Sequence, residues 1–332
     1  MTTYKEINGT NIEAVSTDPA NPVVGQVWYN TTDNVLKGAT ETTAGAWATG
    51  GSLNTARTNM GTAGTQTSAL AFGGIAVPLY GMTVTESYNG SAWTEVADLN
   101  TSRAQMGGVG SSNTNALSFG GWTIPTFYTN TETWNGSSWT EVNDLNTARS
   151  LGGSAGVDNT SALFAGGLFY SPSVGYAVTE SWNGTSWTEV ADLNQGRRDF
   201  AGSNGTQTSA LVYGGNNDPP LYALTESWNG SSWTEVGDLN VDTLSGGGAG
   251  ADNTSALLFG GNTGASPTAK TELWNGTSWS ETTDLSTARR NLGGTGTQAS
   301  ALAIGGATPS AIAATEEWTG AGSPVVQTFT DS

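Results

Sequence analysis

Residues 144–190 read DLNTARSLGGSAGVDNTSALFAGGLFYSPSVGYAVTESWNGTSWTEV, and variants of this stretch recur along the chain. They begin at six positions, 46, 46, 48, 46 and 46 residues apart: Ser52, Asp98, Asp144, Asp192, Asp238 and Asp284. A fixed period of this length is typical of repeat architectures, in which each unit is one supersecondary structure. The sequence therefore predicts six copies of one unit.

Each repeat predicts four short strands joined by turns. In residues 144–190, a Gly-rich strand over 151–156 precedes a polar turn and an apolar strand that ends at Gly166-Gly167. After a variable loop, two more strands flank Asn183-Gly184, a pair that favours a type I′ hairpin because both central residues need a positive φ. Four strands in about 45 residues describe one propeller blade. We therefore predict an all-β, six-bladed β-propeller with four-stranded blades.

The repeat resembles the kelch repeat, in which an Arg opens the unit, a hydrophobic strand ends in Gly-Gly and aromatic residues follow at fixed spacings. The resemblance covers about residues 46–320. Each of the six repeats has its glycine pair: Gly73-Gly74, Gly120-Gly121, Gly166-Gly167, Gly214-Gly215, Gly260-Gly261 and Gly305-Gly306. The resemblance implies a kelch-type propeller whose loops after the Gly-Gly strands lie on one face, and that face commonly binds the partner.

The sixth repeat lacks a fourth strand after Trp318. Trp47 stands ten residues before Arg57, as Trp93 stands ten before Arg103. We therefore expect the strand around Trp47 to pair into the last blade and close the ring, which removes an open sheet edge. The alternative is closure by residues 325–329. The predicted domains are an N-terminal attachment segment over 1–42, the propeller over 43–320 and a C-terminal tail over 321–332.

The composition narrows the classes of function. The chain has 28 acidic and 10 basic residues, a net charge of −18, and its bases never cluster beyond a pair, which disfavours nucleic acids and anionic membranes. It has no Cys and no His, so thiol chemistry, the commonest general base and the commonest metal ligand are missing. We predict no catalytic residues, no metal and no cofactor. The start of the sequence has no apolar signal segment, and no stretch is long enough to span a membrane, so we expect no export and no membrane insertion.

Two sets of repeated residues allow a structural and a functional interpretation. Eleven of the 13 Trp recur at two blade positions. Their rings could stack on sugars or could fill the space between adjacent blades, and we expect the packing role. The recurring arginines allow two interpretations: an anion pocket around the axis, or a structural ring in which each Arg pairs between blades with the Glu of a third strand. We expect the structural ring. Its members are Arg57, Arg103, Arg149, Arg197 and Arg289. Repeat five has Thr243 instead, which leaves Glu272 needing another donor.

The loops after the Gly-Gly strands differ most between repeats, and those of repeats one to four carry aromatic residues that the repeat does not require. Binding residues are often placed on such loops, although the alternative is that these side chains only pack their own loops. The predicted binding face consists of Tyr80, Trp122, Phe127, Tyr128, Phe169, Tyr170, Tyr176, Asn217, Asp218 and Tyr222.

Residues 21–38 (NPVVGQVWYNTTDNVLKG) resemble a short hairpin module found near the start of tail-fibre and other virion proteins of tailed phages. With the kelch-like repeats, this resemblance implies a structural protein of a marine phage, assembled in the host cytoplasm and present in several copies. Residues 1–42, including Trp28 and Tyr29, would then bind other virion proteins, and the propeller would contact a host-surface glycan or protein.

Two alternatives remain for function. The first is a cellular kelch-type scaffold for protein interactions. The second is a carbohydrate-active propeller enzyme. Oxidases resembling galactose oxidase need His and Cys, which are absent, and the Ser-x-Asp-x-Gly-x-Thr-Trp box of sialidase-like propellers does not occur.

Overall fold

A computed structural model of the chain describes residues 6–7, 10–19, 22–23, 25–41, 44–78, 80–169, 174–217, 219–322 and 324–329. All regular elements among these residues are β-strands, and they contain no helix long and apolar enough to cross a bilayer. The chain divides into two compact units. Unit one comprises residues 1–46 with 319–332, and unit two comprises residues 47–318.

Six strands precede the first repeat: β1 (Glu6–Ile7), β2 (Thr10–Asn11), β3 (Glu13–Val15), β4 (Val27–Asn30), β5 (Val35–Glu41) and β6 (Ala46–Thr49). Repeat one contains β7 (Gly61–Thr65), β8 (Ser68–Phe72), β9 (Thr85–Tyr88) and β10 (Trp93–Val96). Repeat two contains β11 (Gly107–Ser112), β12 (Asn115–Phe119), β13 (Trp122–Thr123), β14 (Thr126–Phe127), β15 (Thr131–Trp134) and β16 (Trp139–Val142). Repeat three contains β17 (Gly153–Asp158), β18 (Ser161–Ala165), β19 (Thr179–Trp182) and β20 (Trp187–Val190).

Repeat four contains β21 (Gly202–Thr206), β22 (Ser209–Tyr213), β23 (Thr225–Trp228) and β24 (Trp233–Val236). Repeat five contains β25 (Gly247–Asp252), β26 (Ser255–Phe259), β27 (Thr271–Trp274) and β28 (Trp279–Glu281). The last strands are β29 (Gly293–Gly296), β30 (Ser300–Ile304), β31 (Thr315–Thr319) and β32 (Pro324–Phe329).

Repeats one to five each form one four-stranded antiparallel sheet whose strands follow the chain from the innermost to the outermost. The second strand of each sheet is the most buried, since its apolar side chains pack on neighbouring sheets from both faces. The innermost strands are rich in glycine because they approach one another closely. A Cβ added at Gly248 would lie 2.5 Å from the hydroxyl of Tyr213 and 2.9 Å from the amide nitrogen of Ser203, both in the preceding sheet.

The sixth sheet has the order β29-β30-β31-β6, so its outermost strand comes from residues before the first repeat. The ring of Trp47 lies 5.3 Å from that of Trp318, the neighbour that the spacing predicted. Strand β32, the alternative candidate for this place, pairs instead with β5.

A circuit of backbone hydrogen bonds links the six repeats. In each repeat, the residue two positions after the recurring Arg (after Thr243 in repeat five) has a φ between 54° and 59°. Its amide donates to the carbonyl of the corresponding residue one repeat earlier. The bonds are Gln105 to Asn59 (2.8 Å), Leu151 to Gln105 (2.9 Å), Asp199 to Leu151 (2.9 Å), Ser245 to Asp199 (3.1 Å), Asn291 to Ser245 (2.7 Å) and Asn59 to Asn291 (3.0 Å).

The tryptophans of the outermost strands form a second circuit. Each indole nitrogen donates to a Thr hydroxyl on the third strand of the preceding sheet, at 3.0–3.2 Å. The pairs are Trp47–Thr271, Trp93–Thr315, Trp139–Thr85, Trp187–Thr131, Trp233–Thr179 and Trp279–Thr225. These tryptophans therefore occupy the wedges between sheets, as the structural interpretation predicted.

Unit one contains a mixed sheet with the order β3-β4-β5-β32. Trp28 is fully buried, and its indole nitrogen donates to Asp18 at 3.0 Å. Hydrogen bonds from Lys37, Trp28 and Asn30 lower the pKa of Asp18 to about 2. Trp28 is thus buried against other residues of this chain, so burial of its ring does not require a partner protein. The segment predicted as a separate tail supplies β32. The alternative expectation placed a strand over residues 325–329 in the last blade, and its pairing with β5 was not predicted.

Candidate functional site

The loops that follow the Gly-Gly strands gather at one end of the six sheets. Each loop forms a backbone bridge to the residue directly after the recurring Arg position. The bridges are Thr58–Ile75, Ala104–Trp122, Ser150–Leu168, Arg198–Asn216, Leu244–Asn262 and Arg290–Ala307. The variable loops therefore lie beside the circuit of positive-φ residues, at the end where the innermost strands begin. We call this end of unit two the loop face.

A cavity of about 490 Å³ lies between the innermost strands of all six sheets. Each of these strands pairs with a neighbour on one side only, so its second edge presents backbone amides and carbonyls. Asp199 is the one ionisable side chain among the lining residues, and burial raises its pKa. The hydroxyl of Ser245 donates a 2.7 Å hydrogen bond to this carboxylate, and the residues that line the cavity offer no second acid and no basic group beside the pair. The described part of the chain also holds no group of three or more acidic residues close enough to bind a metal.

The structure distributes the predicted face over several environments. Tyr80 is 60% exposed, Phe169 38% and Tyr176 36%, so these three side chains are open to a ligand. Five further residues are half-buried: Trp122, Phe127, Tyr128, Asn217 and Tyr222. Tyr170 and Asp218 lie outside the described residues.

Three aromatic rings from the loops of repeats two and three meet on the loop face. Phe127 lies 6.4 Å from Phe169, and Phe169 lies 6.2 Å from Tyr176, with both ring pairs edge to face. Ile124, in the first of these loops, is 58% exposed, and Val174, in the second, is 47% exposed. We call these five residues the aromatic cluster. Ile124 and Val174 were not among the predicted binding residues, which were all aromatic or polar.

Other residues of the predicted face hold the loops in place. The hydroxyls of Tyr128 and Thr123 lie 2.9 Å apart within one loop. The side-chain oxygen of Asn217 accepts a 2.7 Å hydrogen bond from the amide of Gly175, which joins the loops of repeats four and three. Trp122 pairs through its backbone with Ala104. For Tyr128 and Asn217 these contacts favour the alternative of local packing, whereas the backbone bridge of Trp122 leaves the role of its side chain a prediction.

The five recurring arginines lie outside the cavity lining and are fully buried. Each pairs with the third-strand Glu of its own repeat, so the expectation that they pair between blades is wrong. The pairs are Arg57–Glu86 (2.8 Å), Arg103–Glu132 (2.7 Å), Arg149–Glu180, Arg197–Glu226 (3.3 Å) and Arg289–Glu316 (3.0 Å).

The buried carboxylates have a second partner that the sequence analysis missed. In repeat two, Glu132 accepts at Oε2 from the backbone amide (2.7 Å) and the side-chain amide (2.9 Å) of Asn100. The guanidinium of Arg103 therefore reaches only Oε1, so the pairing is not bidentate. Burial lowers the pKa of each of these arginines, and the neighbouring Glu opposes that shift. The ring of arginines is structural in its geometry.

No family model and no curated protein matches the chain. Among solved structures, that of YjhT, a β-propeller protein, superposes with a TM-score of 0.66 at 14% sequence identity, over 83% of this chain and 99% of YjhT. At that identity the likeness concerns the fold alone. Together with the repeated four-stranded sheets, it shows that this chain has an all-β fold of the β-propeller type.

Proposed function

We propose that the six sheets are the blades of one closed, six-bladed, kelch-type propeller. Both hydrogen-bond circuits support closure, because each contains a link between the first and the sixth repeat: Asn59 to Asn291 on the backbone and Trp93 to Thr315 between side chains. The recurring Arg and the Gly-Gly strands support the kelch type.

We further propose that the protein is a non-enzymatic component of a phage virion, associated with the tail or its fibres, that contacts the host surface through the aromatic cluster. The observation that carries this proposal is the group formed by the exposed Phe169 and Tyr176 with the half-buried Phe127, since the repeat requires no aromatic residue there. Aromatic rings stack on sugar rings and also anchor protein interfaces. The cavity supports a binding role over catalysis, because its lining offers one carboxylate among neutral amides, hydroxyls and backbone groups.

The net charge of −18 disfavours long-range attraction to an anionic cell surface. Affinity would therefore come from short-range contacts, and several copies on one particle would multiply a weak single contact. Unit one would attach the propeller to another virion protein, as the resemblance of residues 21–38 implies.

The test compares adsorption to host cells by wild-type protein and by a Phe169→Ala, Tyr176→Ala double variant. We expect the double variant to keep the wild-type melting temperature, because both side chains are exposed, and to lose at least tenfold in adsorption. Val157→Ala is the matched control, since Val157 is 48% exposed and lies at the opposite end of its sheet from the loop face. Unchanged adsorption by the folded double variant would refute a role for the cluster in attachment.

Attachment through unit one needs a separate experiment. A chain limited to residues 47–318 lacks both β5 and β32, which pair with each other. Neither strand is therefore left without its partner. We expect this chain to fold but not to enter particles. Normal incorporation would show that attachment does not depend on unit one.

A further inference from the structure

Repeat five departs from the others at the buried ion pair. Thr243 stands at the Arg position and is 3% exposed, while the third-strand carboxylate remains as Glu272, which is 2% exposed. The backbone and side-chain amides of Asn240 donate to Glu272 Oε2 at 3.0 and 2.7 Å. Within the described part of the chain, no donor is recorded for Oε1. The hydroxyl of Thr243 donates to the carbonyl of Val241 instead.

In repeats one, two and six, the guanidinium joins three groups of oxygen atoms, whereas Arg149 of repeat three donates to Thr147 and Phe164 beside Glu180. In repeat one, Nη1 of Arg57 donates to the carbonyls of Gly73 (3.2 Å) and Val84 (2.7 Å), and Nη2 donates to Glu86 (2.8 Å). Repeats two and six repeat this arrangement on Gly120, Asn130 and Glu132, and on Gly305, Ala314 and Glu316.

The same oxygen atoms occur in repeat five without a guanidinium. The positions of Gly73, Val84 and Glu86 correspond to Gly260, Lys270 and Glu272. The Lys270 carbonyl accepts a 2.9 Å hydrogen bond from the amide of Gly260, as the Val84 carbonyl does from Gly73 at 3.0 Å, so the local backbone is the same. In repeat one that carbonyl accepts the Arg as well, which shows that its second lone pair is available.

The charge around this position also differs from that of the other repeats. Asp242 stands where they have Ala, Ser or Gly, so repeat five loses a positive charge and gains a negative one beside the site. Its single base, Lys270, pairs with Glu281 at 2.8 Å, and both of these side chains are about half exposed. A buried carboxylate is costly unless it is paired or coordinates a metal.

We propose that repeat five binds a hard metal cation at the place of the missing guanidinium, through Glu272 Oε1 and the carbonyl oxygens of Gly260 and Lys270. An all-oxygen set with one carboxylate suits Na⁺, K⁺ or Ca²⁺, with water completing the coordination shell. Two of the three protein ligands are main-chain carbonyls. Residue types alone therefore do not reveal this site, and the sequence analysis expected no metal.

The test measures thermal unfolding of the full chain in choline chloride and, at equal ionic strength, in NaCl, KCl and CaCl₂. We expect at least one of the metal salts to raise the wild-type midpoint by about 2–4 °C over choline, because a ligand that binds only the folded state stabilises it. Thr243→Arg supplies the guanidinium covalently. This variant should match or exceed the metal-bound wild type in choline and should gain nothing from the metal.

Two further variants separate binding at this site from a general salt effect. Glu272→Gln removes the charged ligand and should abolish the metal response even if Thr243→Arg folds poorly. Val241→Ala, an exposed neighbour, should keep the full response. An equal metal effect in wild type and Glu272→Gln, or no difference between choline and any of the metal salts, would overturn the proposal.

Discussion

The amide of Asn59 donates a 3.0 Å hydrogen bond to the carbonyl oxygen of Asn291, which joins the first repeat to the sixth. The corresponding residues of the other repeats are Gln105, Leu151, Asp199 and Ser245, so the contact depends on the backbone and not on one side chain. All six have a positive φ, a conformation that Asn and Asp tolerate better than most residues. The six residues therefore adopt a less favourable backbone conformation, and the hydrogen bonds that this conformation allows offset its cost.

Replacing Trp47 by Ala should destabilise unit two. Its ring packs against Trp318 and Phe259, and its nitrogen donates to Thr271. We expect a loss of about 3 kcal/mol, the lower end of the range for Trp→Ala, because Trp47 is only half-buried. Urea unfolding measures the change, with Ala48→Ser on the exposed side of β6 as control. A variant as stable as wild type would show that β6 contributes little to sheet six.

Replacing Arg103 by Met should cost about 3–5 kcal/mol, because it leaves Glu132 charged and buried without its cation. Adding Glu132→Gln should restore part of that loss, since Gln keeps an acceptor for the amides of Asn100 while removing the charge. Urea unfolding of the two single variants and the double variant gives the coupling energy. Strictly additive losses would show that the two charges do not stabilise each other.

Local spacing in the sequence predicted the parts of this fold that arise within one repeat. The Asn-Gly hairpins, the Gly-Gly strands and the place of Trp47 each follow from residues less than one repeat apart. The pairing of β32 with β5 joins segments separated by the whole repeat region. Because no periodic pattern marks these segments, the sequence did not predict this pairing. For the arginines, Glu was correctly predicted as the partner, but the expected pairing between blades was wrong, because spacing alone does not show which repeat supplies the Glu.

The candidate site was predicted only in part for a related reason. Loop composition identified the aromatic residues of repeats one to four, but it did not separate Phe169 and Tyr176, which are exposed, from Tyr128, which bonds within its own loop. That distinction depends on loop conformation, and these loops vary in length and follow no repeat pattern.

Replacing Tyr88 by Phe should weaken the link between repeats one and six in a pH-dependent way. The hydroxyl of Tyr88 donates a 2.5 Å hydrogen bond to Glu317, and hydrogen bonds to charged groups contribute about 1.5–3 kcal/mol. Burial, with the bond to Glu317, raises the pKa of Tyr88 to about 12. Because this pKa is raised on folding, the contribution is complete below the unfolded value of about 10 and is lost as the pH rises towards 12. Melting of wild type and variant at about pH 8 and about pH 11 should show a difference that shrinks, and a constant difference would contradict this account.

Replacing Asp199 by Asn should stabilise the protein at neutral pH. Burial raises the pKa of Asp199, while the hydrogen bond from Ser245 and the charges of Arg198 and Arg290 oppose that shift. A carboxyl group with a raised pKa binds its proton more tightly in the folded state, so the stability of the wild type falls as the pH rises above the unfolded value of about 4. Asn suits this backbone, since Asn59 and Asn291 occupy the corresponding positions with the same φ of 54°, and it keeps an acceptor for Ser245.

The gain from Asp199→Asn should therefore be small at about pH 3 and larger at about pH 7, in urea unfolding at both values. Glu13→Gln is the matched control, because it changes the net charge by the same amount at an exposed position of unit one. It should leave stability nearly unchanged at both pH values. A gain that is equal at both pH values would assign the effect to backbone preference, and a loss at pH 7 would show that the charge of Asp199, facing Arg198 and Arg290, stabilises the end of the cavity.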